Sequence, residues 1–270
     1  MVPERDYRSE MKGSPGWPVH WACERFELTL GVLRENLKEL LTFVGEPLIK
    51  PLFAFPDHEG RMLKKRSDSE VIRRLHNFVA AAMTLVDHSR TFSKVHLNQE
   101  NSLRYKDLRS IMKSDPEVQF VQLLRNYLLH AAVPQICDHV NWRESINKIG
   151  LIPSSLLAWG RWTNPVRKLL KQLSEGKEYF YISDFAASYG NKAENISYQL
   201  LNMIISQYRD DLEYLYNVHR EFLRVHTSKG YVFDPLITKY FTLANGELVI
   251  YPLFDKDRPS TPDRRHRPAD

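Results

Sequence analysis

Apolar residues recur every three or four positions through several long stretches, and this periodicity commits most of the chain to amphipathic helices. Between Cys23 and Val44 the repeat is carried by Phe26, Leu30, Leu33, Leu37, Leu40 and Leu41, and it stops at Gly45 and Pro47. From Val71 to about residue 90 a second stripe runs through Val71, Ile72, Leu75, Phe78, Val79, Ala82, Leu85 and Val86. Ser67 and Glu70 stand just before it in the spacing of a capping box, which predicts a helix start there. Ala80, Ala81 and Thr84 leave the other side of that helix narrow enough for a neighbour to approach closely. After a charged stretch, Asp115-Pro116 is the next start signal, an N-cap aspartate followed by proline at the first helical position, and its helix runs to about Ala132.

Beyond Pro134 the pattern shortens. Residues 136–142 and 146–152 read as strands, with helices at 154–159 and 165–173. A long helical pattern then spans 183–226, with Gly190 as the point where it would break. Ile237–Leu243 and Glu247–Leu253 flank Ala244-Asn245-Gly246 and read as a hairpin. The expected class is mainly α, a helical bundle with a C-terminal helical extension and small β-hairpin elements. Its parts are a loosely ordered N-terminal segment at 1–22, a bundle at 23–135, the extension at 136–254 and a disordered, charged tail at 255–270.

Charge matters here by position. The 270 residues carry a formal +5, but residues 61–113 hold twelve Lys/Arg against five acids, a local +7 that leaves −2 for the remainder. An anionic partner such as RNA fits that segment, with Lys64, Lys65, Arg66, Arg73 and Arg74 as candidate phosphate contacts. The two cysteines, Cys23 and Cys137, provide no C-x-x-C pair, and the histidines have no metal-ligand spacing, so neither a metal nor another cofactor is expected. Phosphate-binding glycine loops and the G-x-S-x-G elbow are also missing from the sequence. No apolar run reaches membrane-spanning length, and a cytoplasmic protein with no membrane partner is expected. Any chemistry then falls to side chains alone.

The segment that concentrates such side chains is Phe120-Val-Gln-Leu-Leu-Arg125-Asn126-Tyr127-Leu128-Leu129-His130. At 100° per residue, Phe120, Val121, Leu124, Tyr127, Leu128 and Ala131 share a core face. Asn126 and His130, one turn apart, stack on the opposite side, with Arg125 on the flank. Arg125-Asn-Tyr-Leu-Leu-His130 resembles the R-polar-x-x-x-H signature of the HEPN (higher eukaryotes and prokaryotes nucleotide-binding) superfamily. The helix Arg74–Arg90 before it and Ala131-Ala-Val-Pro134 after it extend the likeness over residues 23–135.

That resemblance implies a homodimer whose two motifs face each other, and a metal-independent endoribonuclease, a toxin or defence effector that an antitoxin or other regulatory protein would restrain. Arg125, Asn126 and His130 would be its catalytic residues, with Asp87 and His88 as candidate supporting groups in the same cleft. The residue types suit the task, because imidazole titrates near neutral pH and a guanidinium stabilises charge on phosphate. The alternative from another class is a non-catalytic helical dimer that binds RNA, a nucleotide or a protein through the same groove. Trp159, Trp162 and Tyr179-Phe180-Tyr181 are read mainly as core aromatics, with base stacking as the lesser alternative.

Overall fold

The computed structural model describes residues 5–45, 58–141, 146–175, 178–228, 242–244 and 247–249. The protein is mainly helical, with small antiparallel strand elements. In order the elements are α1 (Tyr7–Gly13), α2 (Gly16–Gly45), α3 (His58–His96), α4 (Gln99–Ser114), α5 (Pro116–His130), β1 (Ile136–Asn141), β2 (Ile146–Leu151), α6 (Pro153–Leu157), α7 (Asn164–Ser174), β3 (Phe180–Tyr181), α8 (Ile182–Gln207), α9 (Arg209–Ser228), β4 (Thr242–Ala244) and β5 (Glu247–Val249). None of the described helices is long and apolar enough to cross a membrane.

The chain divides into two compact units. The smaller one takes residues up to His20 together with those from Tyr208 onward. Its core is Met11, Leu215 and Val218, with Tyr7, Trp17 and Phe222 packed around them. The Arg5 guanidinium donates to Glu10 at 2.7 and 2.8 Å and to Glu221 at 2.5 Å, tying the start of the chain to α9. The N-terminal segment expected to be loosely ordered is therefore helical from Tyr7, because its few apolar side chains have partners on α9 that no local pattern reveals. β4 pairs with β5 antiparallel, Leu243 opposite Leu248, as a hairpin at the expected place, except that Ala244, expected in the loop, pairs with Glu247. The charged tail from Asp255 lies outside the described residues.

The larger unit, residues 21–207, holds the bundle. Its interior is built from Leu30, Leu33 and Leu40 of α2, Leu75, Phe78 and Leu85 of α3, Phe120 and Leu124 of α5, and Tyr189, Leu200 and Ile204 of α8. Each such side chain withdrawn from water contributes roughly 1.5–3 kcal/mol before the cost of ordering it. α8 packs on α3, α4 and α5, and α7 packs on α5, so the stretch after residue 135 shares this core instead of extending it. An aromatic cluster marks that junction. The Tyr127 and Trp162 rings stack at 5.8 Å, Phe120 meets Phe185 edge to face at 5.2 Å, and the Trp162 indole N–H donates to the Leu156 carbonyl at 2.6 Å.

Several element ends differ from the sequence reading. α3 begins at His58, so Ser67 and Glu70 lie inside the helix and form no capping box. Glu70 instead accepts from Arg73 at 2.6 and 2.8 Å and from Arg74 at 2.7 Å, the i, i+3 and i, i+4 partners of a continuous helix. The long pattern at 183–226 is two helices parted at Tyr208, whereas Gly190 sits buried within α8 against Leu37. The charged stretch before Asp115 is itself the helix α4, and Phe180 and Tyr181 form a third strand beside β2.

Candidate active site

Local chemistry fixes where α5 starts. The Asp115 carboxylate accepts from the backbone N–H of Glu117 at 2.8 Å and of Val118 at 3.3 Å, and Pro116 occupies the first turn, where no N–H is required. Lys192 of α8 donates to Asp115 and to Glu117 at 2.7 Å each, and the Ser188 hydroxyl donates to Glu117 at 2.5 Å. For Asp115, partial burial works to raise its pKa, and the Lys192 ammonium and two backbone N–H bonds overcome it, so the net shift is downward. Hydrogen bonds from Lys192 and Ser188 lower Glu117 as well. The helix is thereby anchored axially and against α8 at its N-terminal end.

From this anchor the rotation of the helix follows. Val118, Phe120, Val121, Leu124 and Tyr127 are buried. Arg125, Asn126 and His130 emerge into solvent over the last two turns. None of the three holds a hydrogen bond, ion pair or ring contact with the described residues. Asn126 and His130 are one turn apart, with β-carbons about 5–6 Å from each other. Leu129 is 45% exposed and Val133 is 65% exposed, so the polar set is bordered by uncovered apolar surface.

Arg125 has a second neighbour that sequence reasoning missed. A small cleft of about 140 Å³ between α3 and α5 is lined by His76, Val79, Ala80, Arg125, Leu128 and Leu129. His76 is exposed at its rim, which brings a second imidazole beside the arginine. The available signal was its spacing: His76 and Ala80 lie one turn apart, on the flank of α3 away from the Leu75 and Phe78 stripe. The small side chain of Ala80, read as leaving room for a close neighbour, lines the same cleft.

Asp87 and His88 do not join this group. They lie three turns farther along α3, about 17 Å from His76 at 1.5 Å per residue. Asp87 pairs with Arg90 at 2.9 Å, and the His88 Nδ1 shares a 2.8 Å hydrogen bond with the Thr29 hydroxyl of α2.

The five basic candidates separate as well. Arg73 and Arg74 are held by Glu70, which hydrogen bonding to Arg73 before any other influence brings down to about 2; Arg74 also reaches the Glu39 carbonyl at 3.1 Å. Lys64 is bound to Asp68 and, at 2.9 Å, to Asp138 of β1, whose side chain is only 6% exposed. Lys65 and Arg66 are exposed, with no acidic partner among the described residues.

The aromatic candidates also divide. Trp162 and Phe180 are core, while Tyr179 and Tyr181 lie on the open face of the sheet with His139 of β1 and Lys148 of β2. Directly opposed in register, His139 and Lys148 share that face. The Tyr179 hydroxyl hydrogen-bonds the His139 Nδ1, and the Lys148 ammonium stands 4.5 Å from the Tyr181 ring centre. Desolvation, with Tyr181 beside it, pushes the Tyr179 phenol up to about 12.

Among the described residues, no three His, Cys, Asp or Glu side chains are grouped to hold a metal. No family model matches the chain, and neither the curated proteins nor the solved structures compared with it contain a match.

Proposed function

We propose that the protein is a HEPN-type endoribonuclease acting as a homodimer, with Arg125, Asn126 and His130 as its catalytic residues. The observation that carries this reading is the set itself. Arg125, Asn126 and His130 stand on two turns of a helix whose N-terminal end is anchored, and they use none of their hydrogen-bonding capacity within the described protein. A structural role inside the bundle would have left them bonded, since a polar group recruited for packing is satisfied by the packing. Exposed Leu129 and Val133 beside them supply apolar surface for a second copy.

RNA cleavage by such a set needs no group beyond the side chains. A base removes the 2′-hydroxyl proton as that oxygen attacks the adjacent phosphorus, and an acid protonates the leaving 5′-oxygen. The products are a 2′,3′-cyclic phosphate and a 5′-hydroxyl. One His130 serves as base and its counterpart in the second copy as acid. Arg125 places two N–H donors on the non-bridging oxygens, where charge accumulates in the transition state. Asn126 orients the phosphate from one turn below, and Lys65 and Arg66, without acidic partners among the described residues, extend the positive field along α3.

The test is cleavage of a defined RNA and of total RNA in EDTA. The reading expects cyclic-phosphate ends, a loss of at least a hundredfold in His130→Ala and in Arg125→Ala, and unchanged melting of both variants. Cleavage that survives both substitutions, or an absence of cleavage by the dimeric protein, rejects it.

A further inference from the structure

We infer that the cleft between α3, α4, α5 and α8 binds an organic phosphate monoester whose body is apolar or aromatic. This site lies on the first turns of α5 and is separate from the Arg125 cleft, so it stands independently of the ribonuclease reading.

The cleft has a volume of about 440 Å³, within the range of small-ligand sites. Its mouth is cationic: Arg90 of α3 and Lys106, Arg109 and Lys113 of α4 line it, and among the described residues no carboxylate does. The three α4 residues have i, i+3 and i+7 spacing, which aligns them on one face of the helix. Arg90 is already paired with Asp87, but Lys106, Arg109 and Lys113 have no acidic partner among the described residues. The Arg109 guanidinium lies 6.0 Å from the ring centre of buried Tyr105, an aromatic surface that restricts where its planar fork points.

Three cations on one helix face, without acidic partners among the described residues, repel one another, and the repulsion is relieved best by an anion carrying more than one charge. A phosphate monoester, at close to −2 near neutral pH and with three acceptor oxygens, meets that requirement. A carboxylate, at −1 with two oxygens, does not.

Behind the cations the wall turns apolar, with Val86, Val118, Ala193 and Ile196. Inorganic phosphate would leave this surface wet, whereas a ligand body of several carbons covers it. Polar atoms within the wall are few and defined. The Ser197 hydroxyl donates to the Ala193 carbonyl at 2.7 Å, which leaves its oxygen lone pair open to a donor, whereas the Ser89 hydroxyl, which donates to the Leu85 carbonyl at 2.7 Å, is also hydrogen-bonded with Tyr105. The Gln122 amide is half-buried without a partner among the described residues, so it offers both a donor and an acceptor.

Two kinds of molecule present this chemistry, a nucleoside monophosphate and an alkyl phosphate, and calorimetric titration of the full chain separates them. The probes are AMP, UMP, octyl phosphate, inorganic phosphate and octanoate. At least one organic phosphate is expected to bind tenfold or more tightly than both inorganic phosphate and octanoate. Lys106→Gln combined with Arg109→Gln should weaken that binding at least tenfold while leaving the circular dichroism spectrum and melting temperature unchanged. Ile196→Trp, which fills the apolar wall, should abolish it. Gln122→Leu assigns the source: a nucleotide loses affinity tenfold and octyl phosphate does not. His130→Ala should bind as the wild type does, so the failure of catalysis and the failure of this site are told apart. Inorganic phosphate or octanoate binding within threefold of the best organic phosphate overturns the inference, as does unchanged affinity in the double variant.

Discussion

Asp115 shows how much of the candidate site rests on one side chain distant from it. It caps α5, holds Lys192, and so sets the position from which Arg125 and His130 project ten and fifteen residues later. Replacing it with alanine removes the cap and should cost about 1–2 kcal/mol, read as a lower midpoint in urea unfolding. The pH dependence follows from the depressed pKa values of Asp115 and Glu117. Carboxylates held below their unfolded values stabilise the fold above that unfolded value, near 4, and the contribution is lost as pH falls through the folded values. Stability should therefore decline below about pH 4, and the decline should be shallower in Lys192→Met, which starts about 1 kcal/mol lower at neutral pH because the triad is partly solvated. A pH series of urea midpoints checks both. Two glycines separate close packing against backbone from close packing against a side chain. A β-carbon on Gly16 would run into the backbone carbonyl of Asp211, whereas one on Gly190 meets only the end of the Leu37 side chain. Gly16→Ala should cost about 2–3 kcal/mol. In Gly190→Ala, Leu37 can rotate away and alanine gains helix propensity, so the net change should stay within about 1 kcal/mol. Thermal unfolding of the two variants reads the contrast.

Among the elements, those whose signals are local were legible in the sequence. Asp115-Pro116 predicted the start of α5 correctly because N-cap chemistry is contained within four residues, and the strands β1 and β2 emerged within a residue of their expected ends. Ser67 and Glu70 misled for the converse reason. The turns of α3 before them bury only Gly60, so they show no apolar period, yet Lys64–Asp68 pairing and the Ser69 hydroxyl bond to the Lys65 carbonyl continue the helix through them. α4 was hidden in the same way, since Tyr105 is its one buried side chain. Reading it as a charged stretch concealed the alignment of Lys106, Arg109 and Lys113. The Lys64–Asp138 pair joins α3 to β1 across 74 residues, and no sequence pattern announces it. Because Asp138 is nearly enclosed, Lys64→Ala strands a buried carboxylate and should cost about 1–3 kcal/mol, allowing for the partial exposure of Lys64 itself. Lys65→Ala with Arg66→Ala should leave the melting temperature unchanged. If both cations touch phosphate, that pair of substitutions reduces the salt slope of RNA binding by about 1.4, which a titration over several salt concentrations measures.

At the scale of the whole molecule, the net +5 conceals an uneven distribution, and the structure divides the +7 segment by what its cations already hold. Among the described residues, Arg73, Arg74, Arg90 and Lys64 are committed to carboxylates, while Lys65 and Arg66 on α3 and Lys106, Arg109 and Lys113 on α4 are among the cations that are not. The proposed catalysis adds a requirement that one chain does not meet. A single copy has one His130, and the reaction needs a base and an acid on opposite sides of the phosphorus. Two of the exposed apolar residues, Leu129 and Val133, lie close to His130, where a second copy would supply the other. Leu129 lies beside His130 and Val133 just past the helix end, and a dimer that covered them, as proposed, would bring the two motifs within reach of one RNA strand. Leu129→Asp should therefore move the protein to monomer in sedimentation and abolish RNA cleavage together, while leaving the monomer's melting temperature within a few degrees, because Leu129 contributes little to the buried core. Mixing inactive His130→Ala protein with wild type in excess should suppress cleavage further than dilution does, as mixed dimers carry one imidazole where two are needed. A monomer that cleaves as fast as the dimer would assign base and acid to a single chain, and His76, beside Arg125, would then be the imidazole to replace next.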